Sequence, residues 1–471
     1  MWLAVFLLAP VLGKHLAGGY AHFCIVQPNA QTFCFGWNKF GNLGNGSPNE
    51  TSSFPTQVLD VEDTVDVCAG GGHSCFLSQD GYVQCVGFNS EGMLGDGTTE
   101  DKSRAGDAVN ATGLVSQIEC SFFQTCAVLA QGMECWGGNS FGELGDNSTV
   151  SKHFPVPMLG LESVTVHSVG TGVFHTCVVV GNGQVRCTGG NSAGQLGSAG
   201  EGLKSSAVLV PVWGLDQEVA MSVRCGYEHS CVVMSTGKVY CWGGNAVGQL
   251  GLDSTVTFSP HPVAVGGLGS FVSCGYFNSF VVNHNTGVAT VFGDNAFNQF
   301  ATTGKATYFT PEPAFANLSI AEIRSGYRTA CVATTHGTVH CVGADAYGQL
   351  GNGSNTASSR LVDVALPMLE TALTPGQIQC QPRAAMSRLR CTVLTKLCKS
   401  LHNIQLKWVG SGCKNRKVKD AGCQCLGYCG FTCKQECNKN RKYCQWSGAR
   451  GCTVKASKQT YQRKTYCDLG L

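Results

Sequence analysis

The stretch HSCVVMSTGKVYCWGGNAVGQLG at residues 229–251 is not unique in the chain. It recurs as HFCIVQPNAQTFCFGWNKFGNLG from His22, HSCFLSQDGYVQCVGFNSEGMLG from His73 and HTCVVVGNGQVRCTGGNSAGQLG from His175, with weaker copies from Gln124, Asn278 and Thr329. The glycine after the second cysteine position falls at 36, 87, 137, 189, 243, 293 and 343, a period of 50 to 54 residues. Seven units at such a period mean a propeller or a solenoid, because one unit cannot bury its apolar face and must stack on its neighbours. Composition points the same way. The 62 glycines against only 13% charged residues favour many short strands joined by tight turns, so an all-β fold is expected.

Alternation in the copy at Cys231 puts Cys231 and Val233 on one strand face, with Val239 and Cys241 on the same face of the next strand. The spacing of ten makes residues 235–237 a three-residue loop whose last position favours the left-handed backbone that Gly237 supplies. Gly81, Gly183 and Gly337 hold the same place; Ala30 departs from it. In that register the two cysteines lie opposite each other, at a separation a disulfide spans. The expected pairs are Cys24 with Cys34, Cys75 with Cys85, Cys126 with Cys135, Cys177 with Cys187, Cys231 with Cys241, and Cys331 with Cys341. The sixth copy has Phe280 and Val291 at these positions, so both cysteines are missing together, as a bonded pair requires. Cys68, Cys120, Cys225 and Cys274 fall on the strand leading into hairpins two, three, five and six. Reading them as one equivalent position on neighbouring units pairs Cys68 with Cys120 and Cys225 with Cys274. The alternative is buried thiols acting as small hydrophobes.

A Pro/Val-rich strand follows each hairpin, as in FPTQVLDV, FPVPMLGL and LVPVWGL, with a divergent copy near 108–115. Seven hairpins and seven such strands complete a ring without residues 1–13. Closure is then expected to place the last strand, near 361–364, in one blade with the first segment, near 16–20. The pattern G-x-x-H-[ST]-C, then G-x-V-x-C-x-G-x-N, then G-x-L-G, resembles the regulator of chromosome condensation repeat family over residues 14–367. The resemblance implies a seven-bladed β-propeller. Copy six departs most, with Asn298 in place of the loop glycine and Phe300-Ala301 in place of Leu-Gly. Asparagine tolerates the left-handed conformation, so the blade is expected to survive.

Histidine and cysteine two residues apart suggest zinc or a thiol nucleophile. The histidine position, however, reads His22, His73, Gln124, His175, His229, Asn278 and Thr329, and a ligand or base does not dissolve gradually across equivalent sites. A histidine or amide bonding neighbouring backbone serves a blade equally well. GGNAVGQLG shares only glycine content with a phosphate loop, since a strand rather than a helix follows it. No unique Ser-His-Asp set or carboxylate pair stands apart from the repeats, so we expect neither enzyme, metal nor cofactor. Propellers bind partners through rim loops. Here the loops carry Phe40, Glu91, Phe141, Ala193, Val247, Phe297 and Tyr347, a mixed aromatic set that suits a protein partner or packing between blades.

Twenty-eight cysteines suit an oxidising compartment. MWLAVFLLAPVLG reads as a signal peptide over 1–13, and sequons at Asn45, Asn49, Asn110, Asn147, Asn317 and Asn352 fit a secreted, extracellular route. No apolar run reaches membrane-span length. Charge divides the chain into two bodies. From Cys380 onward there are 19 Lys and Arg against 3 Asp and Glu; before it, 13 against 27. After a linker at 368–379, the segment 380–471 holds 12 cysteines and is expected to be a small disulfide-rich, partly helical domain, with helices where Leu389, Val393, Leu397 and Leu401, and Cys425, Cys429, Cys433 and Cys437, recur every fourth residue. Its basic runs, with Lys414, Arg416, Lys417, Lys419, Lys439, Arg441, Lys442, Arg463 and Lys464, exceed what solubility needs and suggest a polyanion: sulfated glycan, an anionic lipid surface or extracellular nucleic acid. The functional expectation is a secreted interaction protein. Two alternatives stand beside it: guanine nucleotide exchange on a Ran-type small GTPase, which the resemblance implies but which needs an inserted wedge the even unit lengths leave no room for, and a cationic toxin domain on a propeller carrier.

Overall fold

The computed structural model describes residues 16–198, 202–302, 305–315 and 318–367, together with the backbone of four short strands between 405 and 454. The signal segment 1–13, the linker 368–379 and both expected tail helices lie outside the described residues. The chain divides into two compact units, 1–367 and 368–471.

The first unit is a seven-bladed β-propeller, and no helix occurs among its described residues. Each blade is one repeat read without interruption as an antiparallel meander, with strands a to d running from the central channel outward. Blade 1 comprises Leu16–Gly18, His22–Val26, Thr32–Trp37 and Thr51–Gln57; blade 5 comprises Ala220–Cys225, His229–Met234, Lys238–Gly244 and Phe258–Leu268. The hairpin register read from the spacing is present, with Cys231 opposite Cys241, and Phe280 opposite Val291 in blade 6. Gly237 adopts φ +84°, and Ala30 takes up the same left-handed turn at φ 63° without the glycine's freedom. Asn298 likewise sits at φ 58°, which keeps the sixth loop in the common shape.

Two departures concern strands. Blade 2 has three strands, Thr64–Ala69, His73–Ser78 and Val83–Gly87; the segment expected near 108–115 forms no fourth strand, and the blade's outer edge is met by the Gly87–Lys102 bridge, by Val109 donating to the Val83 carbonyl at 2.7 Å and by Gln84 Nε2 donating to the Gly106 carbonyl at 2.7 Å. Ring closure also differs. The last strand, Ser358–Asp363, belongs to blade 7 and does not share a sheet with Leu16–Gly18. The repeat frame begins at the inner strand, so every blade is self-contained and the ring closes side to side. Leu16 donates from its amide to Glu322 Oε2 at 3.1 Å and accepts from Arg324 Nε at 3.1 Å, while Leu16, Phe23, Ile25 and Phe35 pack on Cys331, Val339, Leu350 and Val364.

The core is divided in the same way. Seven apolar clusters each draw on two adjacent blades, one cluster per seam. Each seam also receives a loop from one side. Gly92 of blade 2, at φ +82°, rests on blade 3's outer strand so closely that an added Cβ would lie 2.6 Å from the His153 Cα.

All six intra-hairpin disulfides are formed, each with a Cα separation of 4.1 Å, and Cys68 is bonded to Cys120. Cys225 and Cys274 are thiols, which corrects the expected pairing. The reason is a register offset of one. Cys120, Cys225 and Cys274 lie opposite Thr125, Ser230 and Ser279, whereas Cys68 lies one residue earlier, opposite Cys75. Side chains alternate faces along a strand, so equivalent positions on neighbouring blades point the same way round the ring and never at each other. Cys225 packs on the previous blade's Cys177–Cys187 bridge and Cys274 on Cys231–Cys241. The position that would oppose them as Cys68 opposes Cys120 is Gly170 for Cys225 and Arg224 for Cys274. Burial pushes the Cys225 thiol up to about 12 and raises Cys274 as well, which disfavours the thiolate at both.

Peptide mapping after denaturation and alkylation without reductant is expected to recover Cys225 and Cys274 as alkylated thiols and Cys68–Cys120 as a crosslinked peptide. A Cys225–Cys274 peptide would contradict the offset. Replacing both Cys75 and Cys85 by Ser is expected to lower stability by about 2–3 kcal/mol in chemical denaturation, the chain-entropy value for so short a loop.

Candidate interaction face

The motif histidines do not form a site. Each is buried, and its Nε2 meets a hydroxyl of the next blade: His22 with Ser74 at 2.9 Å, His73 with Thr125 at 2.9 Å, His175 with Ser230 at 2.8 Å and His229 with Ser279 at 2.9 Å. Gln124 does the same, donating to Thr176 Oγ1 at 2.7 Å. These hydroxyls donate onward to loop carbonyls, as Ser74 does to Asn42 at 2.8 Å and Ser230 to Gln195 at 3.0 Å. The shared proton therefore comes from the ring, which fixes the Nε2–H tautomer and leaves Nδ1 buried without a partner. Burial pushes His22 down to about 4 and His73, His175 and His229 to about 3, so all four are neutral. The partner is not the neighbouring backbone that the sequence suggests but the Ser or Thr that follows the histidine position in the next copy. That signal is legible. Where the next copy lacks the hydroxyl, at Ala330 and Phe23, the histidine position is Asn278 and Thr329.

Metal chemistry finds too few donors in these seams. Ligand atoms of His175, Cys177 and Cys225, and of His229, Cys231 and Cys274, lie within 4.8 Å of one another. Cys177 and Cys231 are committed to disulfides, which leaves one thiol and one imidazole nitrogen in each cluster, short of a zinc set.

The aromatic rim does assemble. In a four-stranded meander the a–b turns and c–d loops share one end, so position 20 of the first turn and position 40 of the first loop come to the same face, repeated seven times around. Tyr20, Trp37, Phe40, Phe88, Phe122, Phe123, Phe141, Phe174, Tyr227, Tyr276, Phe277, Tyr327 and Tyr347 form one continuous set of ring contacts at centroid separations of 4.4 to 6.4 Å. Arg328 extends it, stacked over Phe297 at 4.3 Å and Tyr327 at 4.5 Å. Phe141, Tyr347 and Arg328 are exposed. These rings are distinct from Trp136, Trp242, Phe280 and Phe292, which are fully buried in the seams.

The loops are held rigidly. In every copy the motif Asn or Asp side chain accepts the amide five residues on at 2.9 Å, from Leu43 on Asn38 to Leu350 on Asp345. A second side chain fixes the rim residue itself. The amides of Phe141, Ala193, Val247, Phe297 and Tyr347 donate to Glu143, Gln195, Gln249, Gln299 and Gln349.

The comparisons with known proteins agree with this architecture. Two sequence profiles, both described as the Regulator of chromosome condensation (RCC1) repeat, match residues 64–92, 166–195 and 222–249, and residues 29–77, 135–179 and 236–282. These are RCC1 repeats. The chain is 28% identical to the Ultraviolet-B receptor UVR8 of Arabidopsis thaliana over 328 residues, 68% of this chain and 72% of that protein. It is also 28% identical to the Secretion-regulating guanine nucleotide exchange factor of Bos taurus over 255 residues, 50% of this chain and 53% of that protein. Among solved structures, human WBSCR16 superposes with a TM-score of 0.64 at 20% identity, covering 72% of this chain and 94% of that one. Yeast RCC1 (Prp20), solved bound to Kap60, superposes with a TM-score of 0.64 at 16% identity, covering 75% and 84%.

The remaining expected sites are placed unevenly on the RCC1-repeat propeller and beyond it. Asn49, Asn110 and Asn147 are exposed; Asn45 and Asn352 are half-buried, with their Oδ1 atoms accepting the Ser47 and Ser354 amides; Asn317 lies outside the described residues. In the second unit, Gln405–Val409 pairs with Gly412–Lys417, the strand that carries Lys414, Arg416 and Lys417, and Cys444–Trp446 pairs with Cys452–Val454. Lys419, Lys439, Arg441, Lys442, Arg463 and Lys464 lie outside the described residues.

The buried histidines set the acid response. Their folded values lie below the ordinary 6.5, so the unfolded chain takes up a proton at each as pH falls, and the stability present above about 6.5 is lost on the way to 4, at about 1.4 kcal/mol per pH unit per ring. His175→Gln keeps the inter-blade bond in the way Gln124 does. It is expected to reduce proton uptake on unfolding by about one between pH 6 and 4.5, read from the pH dependence of chemical denaturation; an unchanged slope would show that His175 is not held neutral.

Proposed function

We propose that the protein is a secreted, non-catalytic interaction protein. Its propeller engages a protein partner through the aromatic face, and its basic cysteine-rich domain binds a polyanionic surface. The observation that carries the secreted reading is the burial of seven disulfides in the propeller seams, which a reducing cytosol would not maintain. Exposed Phe141, Tyr347 and Arg328 above a rigid aromatic bed match the aromatic-and-arginine composition of binding hot spots, and rim residues pinned through side chain–amide bonds lose little entropy on docking. Nucleotide exchange on a small GTPase is weaker, because it requires a reducing compartment. The 19 basic residues of the second unit support the polyanion assignment, with sulfated glycan at the cell surface as its target.

Expression of the full chain in a secretory host tests both halves. The product is expected in the medium, shortened by residues 1–13 and retained on heparin with a salt-dependent elution. Proximity labelling at cell surfaces is expected to lose its specific partners in the Phe141→Ala/Tyr347→Ala variant and to keep them in Tyr82→Ser, an exposed residue at the opposite, b–c end. Retention inside the cell with free hairpin thiols would overturn the secreted reading; equal labelling by both variants would overturn the aromatic face.

A further inference from the structure

The central channel is a blind cup. Tyr20, Phe122 and Tyr276 come from blades 1, 3 and 6, on different sides of the sevenfold axis, yet their ring centroids lie 5.7, 5.8 and 6.0 Å apart. Three mutually touching rings from such positions close the axis, and the Tyr276 hydroxyl among them is buried without a hydrogen-bond partner. Beneath this floor the channel holds about 820 Å³, within the range of small-molecule sites, and its other mouth is lined by exposed Val65, Ser116 and Ala321. It therefore opens on the face opposite the aromatic rim.

Inside the cup the repeat is broken at one level. The residues opposite the first hairpin cysteine position are Ala17, Cys68, Gly170 and Ser273 in four blades, but Glu119, Arg224 and Arg324 in the other three. Four small residues show that a blade needs no charge there. Arg324 is neutralised by Glu322 at 2.7 Å, Glu322 also accepts the Leu16 amide, and Asp66 accepts the amides of Val67 and Ile118. Arg224 and Glu119 are different. Arg224 places only Nη1 on the wall, donating to Ser168 Oγ, the Val169 carbonyl and the Val223 carbonyl at 3.2, 3.2 and 2.8 Å; its Nε has no partner, its planar face lies over Phe271, and among the described residues it forms no salt bridge. The Glu119 carboxylate makes no hydrogen bond among the described residues, although its charge acts on both guanidiniums.

An arginine Nε–H buried with no acceptor is costly unless something anionic meets it. The Nε edge of arginine suits a planar carboxylate. With three acids lining the same space a polyanion is disfavoured, and the uncommitted carboxylate of Glu119, which lines the same cavity and whose charge acts on Arg224, calls for a cation. We propose that the cup binds a small zwitterion of the amino-acid class, its carboxylate on Arg224 and its ammonium group at Glu119.

Isothermal titration of the oxidised full-length protein with each of the twenty amino acids tests this, with acetate and methylammonium as half-ligands. At least one amino acid is expected to bind, with either half-ligand at least about tenfold weaker, and Arg224→Gln and Glu119→Gln are each expected to weaken it by at least about tenfold. An unchanged disulfide map reports that a variant is folded, and Glu119→Gln alone decides the matter if Arg224→Gln is not secreted. No binding by any amino acid up to about 10 mM, acetate binding as tightly as the whole zwitterion, or full affinity in a folded charge-neutral variant would each overturn the assignment.

Discussion

No blade of this propeller owns a core. Every apolar cluster is shared between two neighbours, so the stability of each repeat depends on its seams, and the seam between blades 7 and 1 exists only when the ring is shut. The inter-blade histidine bond belongs to the same constraint. A neutral imidazole donates to the next blade's hydroxyl, the hydroxyl donates to a loop of its own predecessor, and a loop glycine or Asn298 lets that loop lie on the next blade's outer strand. These links hold adjacent blades at one spacing. The disulfides act differently: six of the seven close hairpins within a blade and stiffen the unit, and only Cys68–Cys120 crosses a seam.

The repeat made most of this legible. Period, hairpin register and the six hairpin bridges follow from counting residues between cysteines, because a strand's side chains alternate with period two and the turn length fixes what stands opposite. The same arithmetic explains the error at Cys225 and Cys274. Counted back from the histidine position, Cys68 stands five residues before His73 but Cys225 four before His229, and one residue is the difference between facing the next blade and facing the previous one. Closure was misread for a related reason. A frame that opens at the hairpin leaves a strand over at each end of the chain and invites them to share a blade, whereas a frame that opens at the inner strand leaves none. The Ser or Thr partner of each histidine is present in the sequence too: copies six and seven lack the histidine, and the copy that follows each of them, with Ala330 and Phe23, lacks the hydroxyl. What no repeat arithmetic supplies is convergence in space, and Tyr20, Phe122 and Tyr276 meet only because the ring brings three distant turns to one axis.

A sevenfold scaffold separates structure from function by contrast among its own copies. Positions that recur, such as the motif asparagine and the hairpin cysteines, are accounted for by the loop and the blade they build. Positions that vary against that background are free of the scaffold's demands, and the molecule has two groups of them. In five copies the rim residue varies between aromatic and aliphatic while the side chain that pins its amide stays glutamine or glutamate, so there the presentation is constant and the surface presented is not; Phe40 and Glu91 have Asn42 and Met93 at the pinning position. The channel level varies between small residues and three charges.

The two groups point in opposite directions along the axis, and the aromatic floor stands between them. Its rings belong to the rim network on one side and close the cup on the other, so a partner docked on the face would press on the same rings that bound the cavity. Arg328 stacks on Tyr327, which stacks on Tyr20 at 5.1 Å, which forms part of the floor. The path from exposed rim to buried floor is thus two ring contacts long.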